Sequence, residues 1–266
     1  MQNAKIFREK LKSGTICFGT GSNPGGDTLL TEFLAHGTDI DFLWIDMEHH
    51  AITIESVDNL IMATRNSDVA ALVRVAWTNP VLVKPVLDAG ADAIIFPQIQ
   101  TIEDAKLAVS SCLYPPDGIR GIGPGRAALY TQSGKGPDFC KEANESVVII
   151  LQIEHIDAVN NIESILAVPG ITSIVFGPND LAGSMGYPGQ PRHPDALKAV
   201  DTVLEKAKQA GIPVGTSISA DIDLIKEWAD RGVSWIEAGI PLEIITKRVQ
   251  EMSAALKTGR PENQKG

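Results

Sequence analysis

At 266 residues, with a hydrophobic fraction of 44%, the chain is long enough to bury one substantial core in a single domain. Its formal net charge of −10, from 33 acidic against 23 basic residues, argues against nucleic acid or anionic lipid as a partner. That balance leaves room for a small anionic substrate, which needs only one or two well-placed arginines.

The opening segment, MQNAKIFREKLKSG, predicts an amphipathic helix over 3–12 and lacks the apolar core of a signal peptide, so a cytoplasmic protein is expected. A strand over Thr15–Gly19 and a helix over Asp27–His36 follow, then Asp41–Asp46 with a helix 54–66, Ala70–Val75 with 80–89, and Ala93–Pro97 with 102–112. A polar, Gly- and Pro-rich stretch from Tyr114 to Asn144 interrupts the rhythm. It resumes with Val147–Glu154 and a helix 156–167, Ile171–Phe176 and 195–210, Pro213–Thr216 and 221–231, and Ser234–Ala238 and 242–256. No run approaches the roughly 18 consecutive apolar residues of a membrane span. The cysteines, Cys17, Cys112 and Cys140, have neither metal nor redox spacing and read as reduced thiols.

Eight strands, each followed by a helix, in a chain of this length are what a closed α/β barrel of the (β/α)8, or TIM, type requires. The glycine-rich first turn, GTGSNPGGD, lacks the spacing of a dinucleotide fold. One barrel over 1–266 with an extra N-terminal helix is therefore expected, ending in a polar tail at about 257–266.

Barrel chemistry sits at the C-terminal ends of the strands, and there the polar residues gather. They are Asp46 to His50 after the second strand, Arg74 in LVRVAW, Gln152 and Glu154, then Gly177-Pro178-Asn179-Asp180, with Ser217 and Glu237 on the last two strands. Strand alternation puts Gln152 and Glu154 on one face. Glu154 and Asp180 stand on adjacent strand ends, where two oxygen ligands suit Mg2+ or Mn2+; the competing readings are a helix cap for Asp180 and a surface salt bridge for Glu154. Arg74, in an apolar strand, either pairs with Asp46 or Glu48 or clamps a substrate oxygen. One of His49 and His50 faces the pocket as a candidate general base, its ring oriented by Asp46 or Asp88. Arg120 and Arg126 in the loop Tyr114–Tyr130 either steer an anion or form an oligomer contact.

The segments DFLWIDMEHH, LVRVAW, LDAG, YPPDGIRGIG, LQIE and FGPNDLAGSMGY occur in an order that resembles the HpcH/HpaI family of class II pyruvate aldolases, from about Asp41 to Val249. The resemblance implies an aldehyde-lyase that reversibly cleaves a 4-hydroxy-2-oxoacid to pyruvate and an aldehyde through a metal-stabilised pyruvate enolate. It implies His49 as base, with Asp88 and nearby Asp46 raising its basicity, and Arg74 on the enolate. It implies Gln152 as a substrate contact, Glu154 and Asp180 as metal ligands, and Gly177, Pro178 and Asn179 around the pyruvate carboxylate. The cofactor implied is Mg2+ or Mn2+, with Co2+ as a further candidate. The family commonly forms hexamers, trimers of dimers, that exchange the last helix, here roughly 242–256. Met47, His50, Asn179, Ser217 and Glu237 depart from the family's usual residues, which puts the substrate in question rather than the chemistry. No lysine falls in a predicted strand, so an iminium mechanism is not expected. The alternatives are a metal-dependent oxaloacetate-type decarboxylase and a barrel that binds an oxoacid without turnover.

Overall fold

The computed structural model describes residues 2–130 and 136–258. Eight parallel strands close into a barrel in sequence order: β1 (Cys17–Gly21), β2 (Phe42–Asp46), β3 (Ala70–Arg74), β4 (Ala93–Phe96), β5 (Val148–Ile153), β6 (Ser173–Phe176), β7 (Val214–Ile218) and β8 (Trp235–Ala238), with β8 pairing back onto β1. The helices are α1 (Gln2–Ser13), α2 (Thr28–Gly37), α3 (Ile54–Ala63), α4 (Pro80–Ala89), α5 (Ile102–Cys112), α6 (Pro137–Ser146), α7 (Ile156–Asn160), α8 (Ile162–Leu166), α9 (Pro178–Ser184), α10 (Pro194–Ala210), α11 (Ile222–Asp230) and α12 (Pro241–Thr258). The expected barrel and extra N-terminal helix are both present. No described helix is long and apolar enough to cross a membrane.

Strand alternation divides the core in two. Leu43, Ile45, Val73, Ile94, Ile149, Leu151, Ile174 and Ile236 face outward and pack beneath the helices. Phe42, Trp44, Ala70, Leu72, Ala93, Ile95, Val148, Ile150, Val175 and Trp235 face inward and fill the barrel. The interior is crowded: a methyl group at Gly215 would lie inside the Trp235 ring, and one at Gly19 would meet Phe42. This is why glycines stand mid-strand here. Trp235 satisfies its one donor on the Ser173 hydroxyl at 2.9 Å.

Helix α1 closes the N-terminal end. Its apolar face presents Ala4, Phe7 and Leu11 to the interior cluster, and the Phe7 ring lies 5.5 Å from Phe42 and 6.4 Å from Trp235. Buried Asp92 ties the helix down, accepting from the amides of Ala4 at 2.9 Å and Ala71 at 3.0 Å. At the same rim Lys10 reaches Asp41 at 2.6 Å, and Asp41 also accepts from the Phe18 amide.

Several boundaries differ from the sequence reading. The first strand runs Cys17–Gly21 rather than Thr15–Gly19, because Thr20 and Gly21 belong to the sheet and not to the turn. The helix expected over 156–167 is two short helices broken at Asn161. Part of the Tyr114–Asn144 stretch is α6, started by Pro137 at its first turn. The expected tail lies, from residue 259 onward, outside the described residues.

Candidate active site

The inward positions that carry aromatic and aliphatic groups low in the barrel carry polar groups at its top. Two residues above Trp44 is Asp46; above Leu72 is Arg74; above Ile150 are Gln152 and Glu154; above Gly215 is Ser217; above Trp235 is Glu237. Asp46 and Arg74 are register partners on β2 and β3, so the sheet itself sets them side by side.

Arg74 is the hub. Its Nε and Nη2 donate to the two oxygens of Asp46 at 2.9 and 2.7 Å, a bidentate pair. Its Nη1 donates to Gln152 Oε1 at 3.4 Å and lies 3.1 Å from Glu48 Oε2. The guanidinium sits over the Trp44 ring, 5.2 Å from its centroid. Burial opposes the Asp46 charge, but the bond and charge of Arg74 outweigh it and hold that carboxyl below the ordinary range. Of the two alternatives for Arg74, the ion pair is present: the guanidinium is paired to Asp46 and lies beside Glu48.

Glu154 is 2% exposed, and no Lys, Arg or His among the described residues lies within ion-pair distance of it. The surface salt bridge is thus not what the structure holds. Its Oε1 accepts from the Gln98 amide at 2.8 Å, and Gln98 adopts a left-handed backbone (φ 55°) to present it. Its Oε2 accepts a short hydrogen bond from Gln152 Nε2. Burial, with the charges of Glu48 and Asp180, pushes the carboxyl up to about 7. Burial and the charges of Asp46 and Asp180 likewise raise Glu48, against the pull of Arg74, and Glu48 Oε2 is buried without a hydrogen-bond donor. A methyl group at Gly177 would lie 3.0 Å from Glu154 Oε2 and 3.3 Å from Gln152 Nε2, so the glycine keeps the space over both open. Asp180 is exposed in the first turn of α9, capped by Gly177 with no side-chain bond, so neither Asn179 nor Asp180 serves as the helix cap.

Negative charge at this mouth exceeds positive. Asp46, Glu48, Glu154 and Asp180 face a single guanidinium, and no strand among the described residues carries another cation. Among the described residues no three His, Cys, Asp or Glu side chains converge into a complete metal cage. A pair of carboxylates with open positions is nevertheless the donor set that Mg2+ or Mn2+ takes while keeping water and substrate oxygens. The residues fit such an ion.

The other expected groups are placed less simply. His49 has 61% of its side chain exposed, with Nε2 3.8 Å from Glu48 Oε2. Asp46 touches the His49 segment through backbone amides rather than the ring, accepting from Glu48 N at 2.9 Å and His49 N at 3.4 Å. His50 is half-buried, with Nδ1 unpartnered. His155 faces away and caps α7, accepting from the Asp157 amide. Asp88 does not meet His49 within the chain. It ends α4 at the N-terminal rim and pairs with Arg120 at 2.8 Å, while His49 follows β2 at the C-terminal rim. Arg126 is likewise paired, to Asp58 of α3. The arginines of the loop are therefore neutralised on α4 and α3 and add no free charge to the mouth. Sequence reasoning missed Trp44 beneath Arg74 and the Gln98 amide on Glu154. The first carries a signal, two positions before Asp46 on the same strand face; the second depends on a loop conformation and carries none.

Comparison with known proteins gives a consistent result. A family model described as HpcH/HpaI aldolase/citrate lyase matches residues 16–247. A 4-hydroxy-2-oxo-heptane-1,7-dioate aldolase of Klebsiella pneumoniae is 31% identical over 254 residues, spanning 96% of this chain and 94% of the relative. The structure of an HpcH/HpaI aldolase/citrate lyase family protein from Burkholderia cenocepacia superposes with a TM-score of 0.89 at 31% identity, covering 95% of this chain and 99% of that one. An HpcH/HpaI aldolase from Desulfitobacterium hafniense superposes at 0.86 and 28% identity, covering 96% and 97%.

Proposed function

This chain belongs to the HpcH/HpaI aldolase/citrate lyase family, and from that premise we propose that it reversibly cleaves a 4-hydroxy-2-oxoacid to pyruvate and an aldehyde by way of the pyruvate enolate. The observation that carries the reading is the buried Glu154 carboxyl, without an ion-pair partner among the described residues, bonded to Gln152, which also accepts from the Arg74 guanidinium. Glu154 and Asp180 would hold Mg2+ or Mn2+, with Co2+ a further candidate, and Glu48 adds to the field that attracts it. When bound, such an ion supplies Lewis-acid stabilisation of charge on the keto oxygen of pyruvate.

The chain's own residues do the rest. Arg74, fixed by Asp46 and Trp44, directs a pre-oriented positive charge at the developing enolate oxygen. Gln152 and the backbone amides at the start of α9, from Gly177-Pro178-Asn179, orient the pyruvate carboxylate. His49 takes the acceptor hydroxyl proton in cleavage and returns it in synthesis. Since Asp88 stands at the opposite rim, it raises the basicity of His49 only if it comes from a neighbouring subunit. An oligomer is also supported by α12, whose Leu242, Ile244, Ile245, Val249, Met252 and Leu256 are exposed. A cytoplasmic homo-hexamer exchanging this helix accords with both features.

The test is product formation from pyruvate and short aldehydes, with Mg2+ or Mn2+ and with EDTA. Chelatable synthesis of 4-hydroxy-2-oxoacids is expected, with no protein trapped by borohydride and pyruvate. A borohydride-stable adduct on a lysine would overturn the mechanism. Metal-dependent loss of oxaloacetate without any condensation would favour a decarboxylase.

A further inference from the structure

The reaction described above leaves one buried acid of the mouth unused. Glu237 projects inward from β8, two residues above Trp235, and is 6% exposed. Its register partner Ser217 donates to its Oε2 at 2.5 Å, and the Gly21 amide lies beside it. No Lys, Arg or His among the described residues is within ion-pair distance of it; the positive charge it feels is that of Arg74. Burial pushes the carboxyl up to about 7, against the pull of Ser217, the Gly21 amide and Arg74.

A residue kept here for packing alone would be apolar, as Trp235 is one layer below. An acid held by a serine and a backbone amide, with no ion-pair partner among the described residues, costs stability that an aliphatic side chain would not. Its surroundings point to a ligand. On β7, β8 and β1 the inward positions at the top are Ser217, Glu237 and Gly21, so the pair supplies the polar side chains on this wall. The opposite wall holds Arg74, Gln152 and Glu154. A substrate with its oxoacid end against the second wall therefore directs its other end toward the first.

Resting on that aldolase reading, we propose that Glu237, braced by Ser217, selects the acceptor: the pair hydrogen-bonds a hydroxyl of an uncharged hydroxyaldehyde and turns away aldehydes that end in a carboxylate. A carboxyl and a hydroxyl together offer a donor and acceptors, the complement of an alcohol. A terminal carboxylate would instead meet Glu237 in a mouth already rich in acids, with Arg74 paired to Asp46 and no second cation on the described strands to receive it.

The experiment compares kcat/KM for glycolaldehyde, for propionaldehyde (the same size without the hydroxyl) and for succinic semialdehyde, each with pyruvate and Mn2+. Wild type, Glu237→Gln, Glu237→Leu and Ser217→Ala are measured, and exchange of the pyruvate methyl protons with D2O is followed in each as a control that needs no acceptor. Wild type should favour glycolaldehyde over propionaldehyde by about 10- to 100-fold, the scale of one hydrogen bond to an ionisable group. Glu237→Leu should erase that preference and Ser217→Ala weaken it. Both Glu237 variants should raise turnover of succinic semialdehyde, with exchange within about twofold of wild type. Glu237→Gln keeps the shape and carries the test if the leucine variant does not fold. Exchange intact with no hydroxyl preference in wild type would overturn this inference alone, as would variants that slow exchange and all acceptors by one factor. No exchange in wild type with Mg2+, Mn2+ or Co2+ would overturn the aldolase reading and this inference with it.

Discussion

The two ends of the barrel are built from the same strands and the same alternation, yet they do opposite work. At the N-terminal end the inward residues are Phe42, Ala70, Ala93, Val148 and Trp235, and α1 seals them with Phe7. At the C-terminal end the same inward rows finish in Asp46, Arg74, Gln152, Glu154, Ser217 and Glu237, and no described helix seals them as α1 seals the base. The lower end gains from burial. The upper end pays for its chemistry with two acids held near neutrality by burial, Glu154 and Glu237. On the proposed reading, stability and reactivity separate along the barrel axis, and substitutions at each end should separate them too.

The largest expected effect is on catalysis at the top. His49→Ala should lower aldol cleavage by about 10^2- to 10^4-fold, the usual contribution of a general base. Since most of its side chain is exposed, the melting temperature should stay within about a degree of wild type. A cleavage assay beside a thermal melt checks both halves, and a large fall in stability would blur the division. At the base, Phe7→Ala should do the reverse. Loss of this buried ring should cost about 3–5 kcal/mol in denaturant unfolding while the turnover of folded enzyme is kept.

Glu237 sharpens the comparison because it places a cost of stability at the reactive end. Its folded-state pKa, about 7, lies above the unfolded value of 4.5. Its contribution is therefore fully present below pH 4.5 and is lost as pH rises through 7. Wild type should lose up to about 3 kcal/mol relative to Glu237→Gln across that window, read from unfolding curves at several pH values. A parallel pair of pH profiles would mean that the carboxyl is not shifted. The smallest effect is at the lower rim, where Lys10→Met should cost about 0.5 kcal/mol, since the ion pair with Asp41 is partly screened by water.

Much of this division was legible in the chain. The parity of Gln152 and Glu154, and an arginine ending an apolar strand, locate the polar rows from the chain alone, because alternation in a strand is a local property. Asp88 shows the limit. Its motif lies close in sequence to Arg74, but it ends a helix that runs back down the barrel, so chain proximity and spatial proximity part company. Gly21 resembled part of a turn because the reason for it, the side chains of Ile240 and Glu237 where its Cβ would lie, comes from the far end of the chain. The burial of Glu237 followed the same pattern: its polarity could be read, but its lack of an ion-pair partner among the described residues could not.

The most direct test of the central claim, that the upper end of the barrel makes an enolate with the help of a divalent ion held at Glu154, is proton exchange of pyruvate in D2O. The methyl signal is followed by proton NMR with Mn2+, with EDTA, and with Glu154→Gln in place of wild type. The account predicts loss of the signal that needs the ion and falls by about 10^2- to 10^3-fold in the variant, the scale of removing one preorganised electrostatic group. Exchange that persists unchanged in EDTA, or in Glu154→Gln, would contradict it.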